Sequence, residues 1–155
     1  MIQADHIHLA INHSPLYAET FAFFLLLIGV IRRNRTLTTA GLVVAIIAAL
    51  CASAAYWTGD EAADILKNAN PPIAGVDVQA IGLHDLAAGF LLGGASITGV
   101  AAIAALWWGR RGRTRPLWLE VLMIVLTLWT ITIAVRVALL GGRIHHPEVR
   151  AVIHG

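Results

Sequence analysis

Four long apolar stretches dominate this sequence and restrict what it can fold into. A helix needs about 20 largely apolar residues to cross a bilayer, and there only a helix or a closed barrel satisfies all of its backbone polar groups. The sequence therefore predicts an all-α integral membrane protein with four transmembrane helices. The predicted spans run over about Ser14 to Ile31, Leu37 to Trp57, Leu83 to Trp108 and Leu117 to Leu140, with an alternative start of the third span near Asp77.

The composition agrees with a membrane location. Hydrophobic residues make up 58% of the chain and charged residues 13%, whereas a soluble domain averages about 25% charged residues. The length of 155 residues predicts one domain, residues 1–155. The segment before the first span contains no Lys or Arg, so we expect a retained membrane helix and not a signal peptide. The single cysteine, Cys51, excludes a CxxCH attachment site for haem c but leaves haem b open.

Arginines in two short connections predict the orientation. These connections hold seven of the eleven basic residues. By the positive-inside rule both connections are cytoplasmic, so both termini and the longer connection over residues 58–82 face outward. The short connections favour an up-down-up-down bundle in which the first and fourth helices are neighbours and the first and third lie on a diagonal. The arginines are Arg32, Arg33 and Arg35 in the first connection, and Arg110, Arg111, Arg113 and Arg115 in the third.

In this orientation all seven histidines fall at the outer end of the bundle. Imidazole is a ligand of Zn, Cu and Fe and the usual axial ligand of haem b. Because several helix ends converge there, the pattern favours a bound cofactor over scattered surface histidines. The histidines are His6, His8, His13, His84, His145, His146 and His154.

Two kinds of centre fit these histidines, and the sequence leaves both open. In the first, His13 and His84 hold haem b between diagonal helices, and Arg136 or Arg143 pairs with a propionate. In the second, a bare Cu, Fe or Zn ion is bound by several imidazoles with a carboxylate as oxygen ligand or supporting group. The candidate ligands of the ion are His8, His13, His84, His145 and His146, with Glu19 or Asp60 as the carboxylate.

Two charged residues lie within the predicted spans. Glu19 is in the first span and Arg136 in the fourth, each roughly 6–9 Å below the outer helix end at about 1.5 Å rise per residue. A charge in the membrane normally faces the bundle interior and has a partner. We therefore expect a Glu19–Arg136 ion pair beneath the histidines.

Glycines predict two further features. Gly141 and Gly142 follow the fourth span and are expected to end its helix. Gly89 and Gly93 form a GxxxG spacing in the third span, which is typical of close helix packing in membranes.

Short motifs around these polar residues carry a resemblance to a known family. They are His13-Ser14-Pro15, Thr58-Gly59-Asp60, His84-Asp85 and the run from Gly141 to His146. In them the chain resembles bacterial four-helix inner-membrane proteins that are catalogued as a domain of unknown function. Some relatives are joined to Rieske or c-type cytochrome domains. The resemblance thus implies a multi-pass protein of the bacterial inner membrane that takes part in redox chemistry, whereas the additional His6, His8 and His146 favour a metal-ion site.

The function predicted from the sequence is electron transfer in the lipid bilayer, with another redox protein or a membrane complex as partner. A metal transporter or sensor is an alternative, although the inner half of the spans lacks the ionisable residues of an ion pathway. A structural subunit of a larger membrane complex is a third. No HExxH motif supports a hydrolytic metalloenzyme. Nucleic-acid binding is not expected, because membrane topology accounts for the arginine clusters.

Overall fold

The chain is entirely helical in the part that the structure, a computed structural model, describes: residues 4–68, 77–110 and 113–145. The four long helices correspond to the four predicted spans, and each is long and apolar enough to cross a membrane. A short helix that the sequence did not predict precedes them. The elements are α1 (Ala4–Ile11), α2 (Ser14–Ile31), α3 (Arg35–Lys67), α4 (Val78–Trp108) and α5 (Leu117–His145).

The long helices pack as a four-helix bundle. Each contacts its neighbour in the chain, and α5 closes the ring against α2, while α1 packs on α3. The predicted neighbour relation between the first and fourth spans is confirmed. We call the end formed by α1, the first turns of α4 and the last turns of α3 and α5 the histidine end. The opposite end, with the connections over 32–34 and 109–116, is the arginine end.

Arg115 ties the arginine end together. Its guanidinium donates to the hydroxyl oxygens of Thr38 at 2.8 Å and Thr39 at 2.9 Å, and it pairs with Glu120 at 3.5 Å. The side chain is 5% exposed, so this is a buried connection between the α4–α5 linker and the start of α3. Arg35 adds a bond of 2.7 Å to the carbonyl of Arg113. These two arginines, expected only to set topology, also stabilise the fold.

Two helix boundaries at the histidine end differ from the expected ones, and the start of α4 falls at the earlier of its two predicted positions, near Asp77. Helix α3 continues past Trp57 to Lys67, and α4 begins at Val78, where the Asp77 carboxylate accepts from two backbone N–H groups. Helix α5 runs through Gly141 and Gly142 to His145, so the predicted end at these glycines is wrong. The extended ends carry the walls of the site described below.

The core of the bundle is built from small residues that allow close helix approach. An added Cβ on Gly99 of α4 would lie 2.7 Å from the Cβ of Ala49 on α3. The predicted packing of Gly89 and Gly93 within this chain is wrong: Gly93 has no atom within 4 Å of its Cβ position, and Gly89 only a Tyr56 ring carbon at 4.0 Å. The close contact between α3 and α4 therefore depends on Gly99.

Replacing Gly99 by alanine should separate α3 from α4. Because neither Cβ can rotate away, we expect Gly99→Ala to lower the free energy of unfolding by about 1–3 kcal/mol, the usual cost of overpacking. The matched control is Gly93→Ala on the same helix, which adds its methyl group to open space and should stabilise slightly through helix propensity, by up to about 1 kcal/mol. Denaturant unfolding in detergent, followed by circular dichroism, measures both. Equal stabilities would contradict the packing of α3 on α4.

Candidate functional site

The site at the histidine end begins with His8, which α1 places against α3. The Nδ1 atom of His8 lies 3.0 Å from the backbone carbonyl oxygen of Ala55. The Thr58 hydroxyl lies 3.4 Å from the same nitrogen. The ring is half-buried between the two helices. This contact anchors α1 over the end of the bundle.

His84 makes the same contact in the second half of the chain. Its Nδ1 atom lies 3.1 Å from the carbonyl oxygen of Val137, so this imidazole on α4 packs on α5. The ring is half-buried.

The carbonyl acceptors determine which ring nitrogen carries the proton in both histidines. A backbone carbonyl can only accept, so the proton of a neutral imidazole lies on Nδ1 in His8 and in His84, and Nε2 keeps its lone pair. A metal-bound histidine almost always donates its other ring N–H in this way. No described residue hydrogen-bonds to either Nε2 atom. Each ring therefore has the hydrogen-bonding pattern that is usual for a metal-bound histidine.

A glycine makes room for each ring. An added Cβ on Gly59 would lie 2.8 Å from Cε1 of His8, and one on Gly141 would lie 3.1 Å from Cε1 of His84. Each glycine stands four residues after the carbonyl that the ring contacts, which is one helical turn further. Residues four apart lie on the same face of a helix, so a side chain there would cover the carbonyl. The glycine at position 141 is therefore explained by the space that the His84 ring needs, and the helix continues past it to His145.

Both rings line one cavity of about 490 Å³ at the histidine end. Its size falls within the range of about 300–1,000 Å³ that is usual for cofactor and ligand sites. His13 and Asn12 lie at the same cavity, and most of the remaining wall is apolar. The principal apolar lining residues are Leu9, Leu16, Ala63, Leu66, Ile81, Leu91, Ala134, Val137 and Ile144. A smaller cavity of about 50 Å³ shares both rings and also touches Asp60 and Asp85.

His13, the expected haem partner of His84, takes a different position from His8. It lies at the start of α2, is exposed, and bonds through Nδ1 to the side-chain oxygen of its neighbour Asn12. Its ring centroid is 6.4 Å from that of Tyr17. The structure thus brings His8, not His13, into a buried arrangement matching that of His84.

The other predicted site residues lie apart from these rings or outside the described residues. Arg136 is exposed and Arg143 half-buried on α5, and neither belongs to the wall of the described cavities. The side chain of His145, and His146 altogether, lie outside the described residues. Their predicted part in the site stays a prediction.

The expected ion pair between Glu19 and Arg136 is wrong. The Glu19 side chain is 0% exposed, and neither carboxylate oxygen has a hydrogen-bond partner, while Arg136 points out of the bundle. Neither the depths nor the helix faces agree: the contacts between neighbouring helices place Arg136 roughly two helical turns nearer the histidine end than Glu19. Val137, the next residue of α5, is the one that faces inward. Glu19 also stands outside both cavity walls, because Leu16, one turn earlier on α2, forms the wall there.

Comparisons with protein-family models, curated proteins and solved structures give no match for this chain. The chemistry of the site therefore follows from its geometry. That geometry is two imidazoles, each with Nδ1 on a backbone carbonyl and with no hydrogen bond from a described residue to Nε2, at a largely apolar cavity. Among the described residues, no group of three or more His, Cys, Asp or Glu side chains converges as a metal-ion site would require.

Removing the Glu19 carboxyl should stabilise the protein. A buried polar group without a partner costs about 1–3 kcal/mol, so we expect Glu19→Leu to raise the free energy of unfolding by about that amount. The control Arg136→Ala, at an exposed site, should change it by less than about 0.5 kcal/mol. Unfolding in detergent measures both variants. Similar losses of stability in Glu19→Leu and Arg136→Ala would instead support an ion pair between the two residues.

Proposed function

We propose that this protein binds haem b between His8 and His84 and transfers electrons at the membrane. The observation that carries the proposal is the matched pair of imidazoles, each fixed through Nδ1 to the carbonyl of a neighbouring helix. The two ligands come from α1 and α4, one from each half of the chain. Axial coordination of haem b needs only two such nitrogens.

The cavity supports haem b over a bare ion. A tetrahedral Zn site needs four ligands, and even a catalytic one uses three from the protein. A haem needs two axial ligands and an apolar space for its ring. The wall of the large cavity, which His8 and His84 also line, is mostly aliphatic. A bound haem b supplies one-electron oxidation and reduction. The residues of this chain hold it, orient its ligands and exclude water from its faces.

The arrangement of charged and aromatic residues supports a membrane position with the histidine end outside. Large apolar side chains cover the outer faces of all four long helices. Exposed tryptophans stand at both ends, as in the aromatic belts of membrane proteins. They are Trp57 at the histidine end and Trp107, Trp108 and Trp118 at the arginine end, while the exposed Trp129 lies within α5 between the two ends. With the arginine end cytoplasmic, the centre lies near the outer surface of a bacterial inner membrane, within reach of another redox protein or a membrane complex.

Optical spectra of the purified protein test this function. We expect a Soret band, with sharp α and β bands on dithionite reduction, when the protein is expressed with adequate haem. His8→Gly and His84→Gly should each lose the six-coordinate spectrum, because each removes one axial nitrogen, and added imidazole should restore it. His13→Gly, at the cavity rim, is the control and should keep the wild-type spectrum.

Other results lead to other conclusions. A wild-type protein without haem but with stoichiometric Cu, Fe or Zn in elemental analysis would replace the haem by a metal-ion centre. Absence of both would leave a structural subunit. Loss of the spectrum in His13→Gly and its retention in His8→Gly would return His13 to the role that the sequence suggested.

The glycine beside His84 gives a second test of the same site. Gly141→Ala places a methyl carbon 3.1 Å from Cε1 of His84, so the ring must shift from its position on the Val137 carbonyl. We expect a lower haem content and a changed reduced spectrum. Gly142→Ala is the matched control, because its Cβ position has no atom within 4 Å. Equal haem content and equal spectra in the two variants would contradict the assigned position of His84.

A further inference from the structure

The Glu19 carboxyl is the one group in the described core that the proposed centre leaves unexplained. It is fully buried, and both of its oxygens lack a partner. The other buried polar side chains are the threonines Thr38, Thr98, Thr127 and Thr130, and each of their hydroxyls is hydrogen-bonded. A buried polar group without a partner opposes folding, so its presence points to a second state of the protein in which it is satisfied.

The packing register places Glu19 near the middle of the bundle. At about 1.5 Å rise per residue, its level on α3 is that of Ala48, and the hydroxyls of Thr98, Thr127 and Thr130 lie within about one turn of it. The register follows from three contacts between neighbouring helices: Gly41 against Leu26, Gly99 against Ala49, and Thr98 hydrogen-bonded to Thr130 at 2.9 Å.

Access to Glu19 is short from the histidine end. Leu16 belongs to the wall of the large cavity and precedes Glu19 by one turn of α2, about 4.5 Å along the axis. Leu91 and Ala134 belong to the same part of the wall. These three apolar side chains, which pack together, belong to the wall of the cavity that His8 and His84 line and lie about one turn of α2 from Glu19.

The arginine half of the bundle is closed to ions. Its core is a continuous apolar cluster, and the Thr127 hydroxyl beside it is bonded to carbonyls of its own helix. The buried members are Ala22, Leu26, Leu42, Ala45, Ala102, Ala105, Leu119 and Met123. A proton that reaches Glu19 therefore enters and leaves from the histidine end.

Few other titratable groups face Glu19 from the helices around it. Residues at its level on α3 and α5 are alanines and threonines, except for the half-buried Cys51, one turn nearer the histidine end. The imidazoles line the cavity nearer the histidine end. The remaining groups are peripheral: Tyr17 and Arg136 are exposed, and Tyr56, Asp60 and Asp85 lie at the smaller cavity.

We propose that Glu19 is the proton-binding group of the redox centre: it takes up one proton when one electron enters and releases it when the electron leaves. The inference rests on the proposed haem function. The electron comes from an external one-electron donor and the proton from water at the histidine end. The Glu19 carboxylate becomes a carboxylic acid, so the net charge of the buried region stays constant through the cycle. Since α2 to α5 offer no polar route to the arginine end, the proton does not cross the membrane.

Redox titration of the haem at several pH values tests this. A coupled proton makes the midpoint potential fall with rising pH, by up to about 59 mV per pH unit, which is a tenfold change in proton concentration for a one-electron couple. We expect this slope in the wild type and its loss in Glu19→Gln. Glu61→Gln, which changes an exposed carboxyl at the same end of the bundle, is the matched control and should keep the slope. A flat wild-type profile, or the same slope in Glu19→Gln, overturns the inference.

Infrared difference spectra of the reduced and oxidised protein identify the group. We expect a carboxylic-acid C=O band on reduction, absent in Glu19→Gln and shifted in frequency in Glu19→Asp. Should Glu19→Gln fail to hold haem, Glu19→Asp decides alone, and an unshifted band counts against Glu19. A wild type that binds no haem overturns the proposed function and this inference together. Haem binding without a proton-linked band overturns the inference only.

Discussion

Two hydrogen bonds from imidazole N–H groups to backbone carbonyls hold the histidine end together. His8 donates to Ala55 on α3 and His84 to Val137 on α5. Each bond requires that the acceptor helix carries no side chain one turn further on. Gly59 and Gly141 meet this requirement. Each also requires the acceptor helix to continue past the ring, so α3 and α5 extend beyond their expected ends. The cavity between the rings is a consequence of these constraints, because the rings are drawn onto the helices and away from the bundle axis.

The two halves of the chain repeat this device without repeating a sequence. In the first half His8, in the last turn of α1, contacts a carbonyl of α3, 47 residues later. In the second half His84, near the start of α4, contacts a carbonyl of α5, 53 residues later. The first histidine lies on the separate α1, whereas the second lies inside α4. Different spacing and different helical context hide the repeat from a sequence search. Its consequence is that each half contributes an imidazole to one cavity, and under the proposed function these two rings supply the axial ligands of haem b.

Much of the architecture could be predicted from the sequence because membrane constraints act on composition alone. Apolar length predicts the four spans, and short connections predict which helices are neighbours. The site was harder to predict, because every residue has a backbone carbonyl and residue type does not show which carbonyl accepts a hydrogen bond. The only sequence signal is the glycine one turn later that leaves the carbonyl accessible. The Glu19–Arg136 pairing failed because counting residues from an expected helix end gives neither depth nor direction: α5 runs on to His145, and one residue turns a helix by about 100°, as 3.6 residues make one turn.

Glu19 shows how the site and the bundle interact. Its neighbours on the inward face of α2, Ala22 and Leu26, belong to the apolar core, and a leucine at position 19 would satisfy packing without an unpaired polar group. The carboxyl therefore destabilises the bundle in the state described. Under the proposed function, linkage between an electron and a proton would give the carboxyl a role, because each would bind more tightly in the presence of the other and the coupling would be reciprocal. Leu16, one turn before Glu19 in the cavity wall, would keep the two sites out of contact, while the low dielectric constant of the interior would let their charges interact.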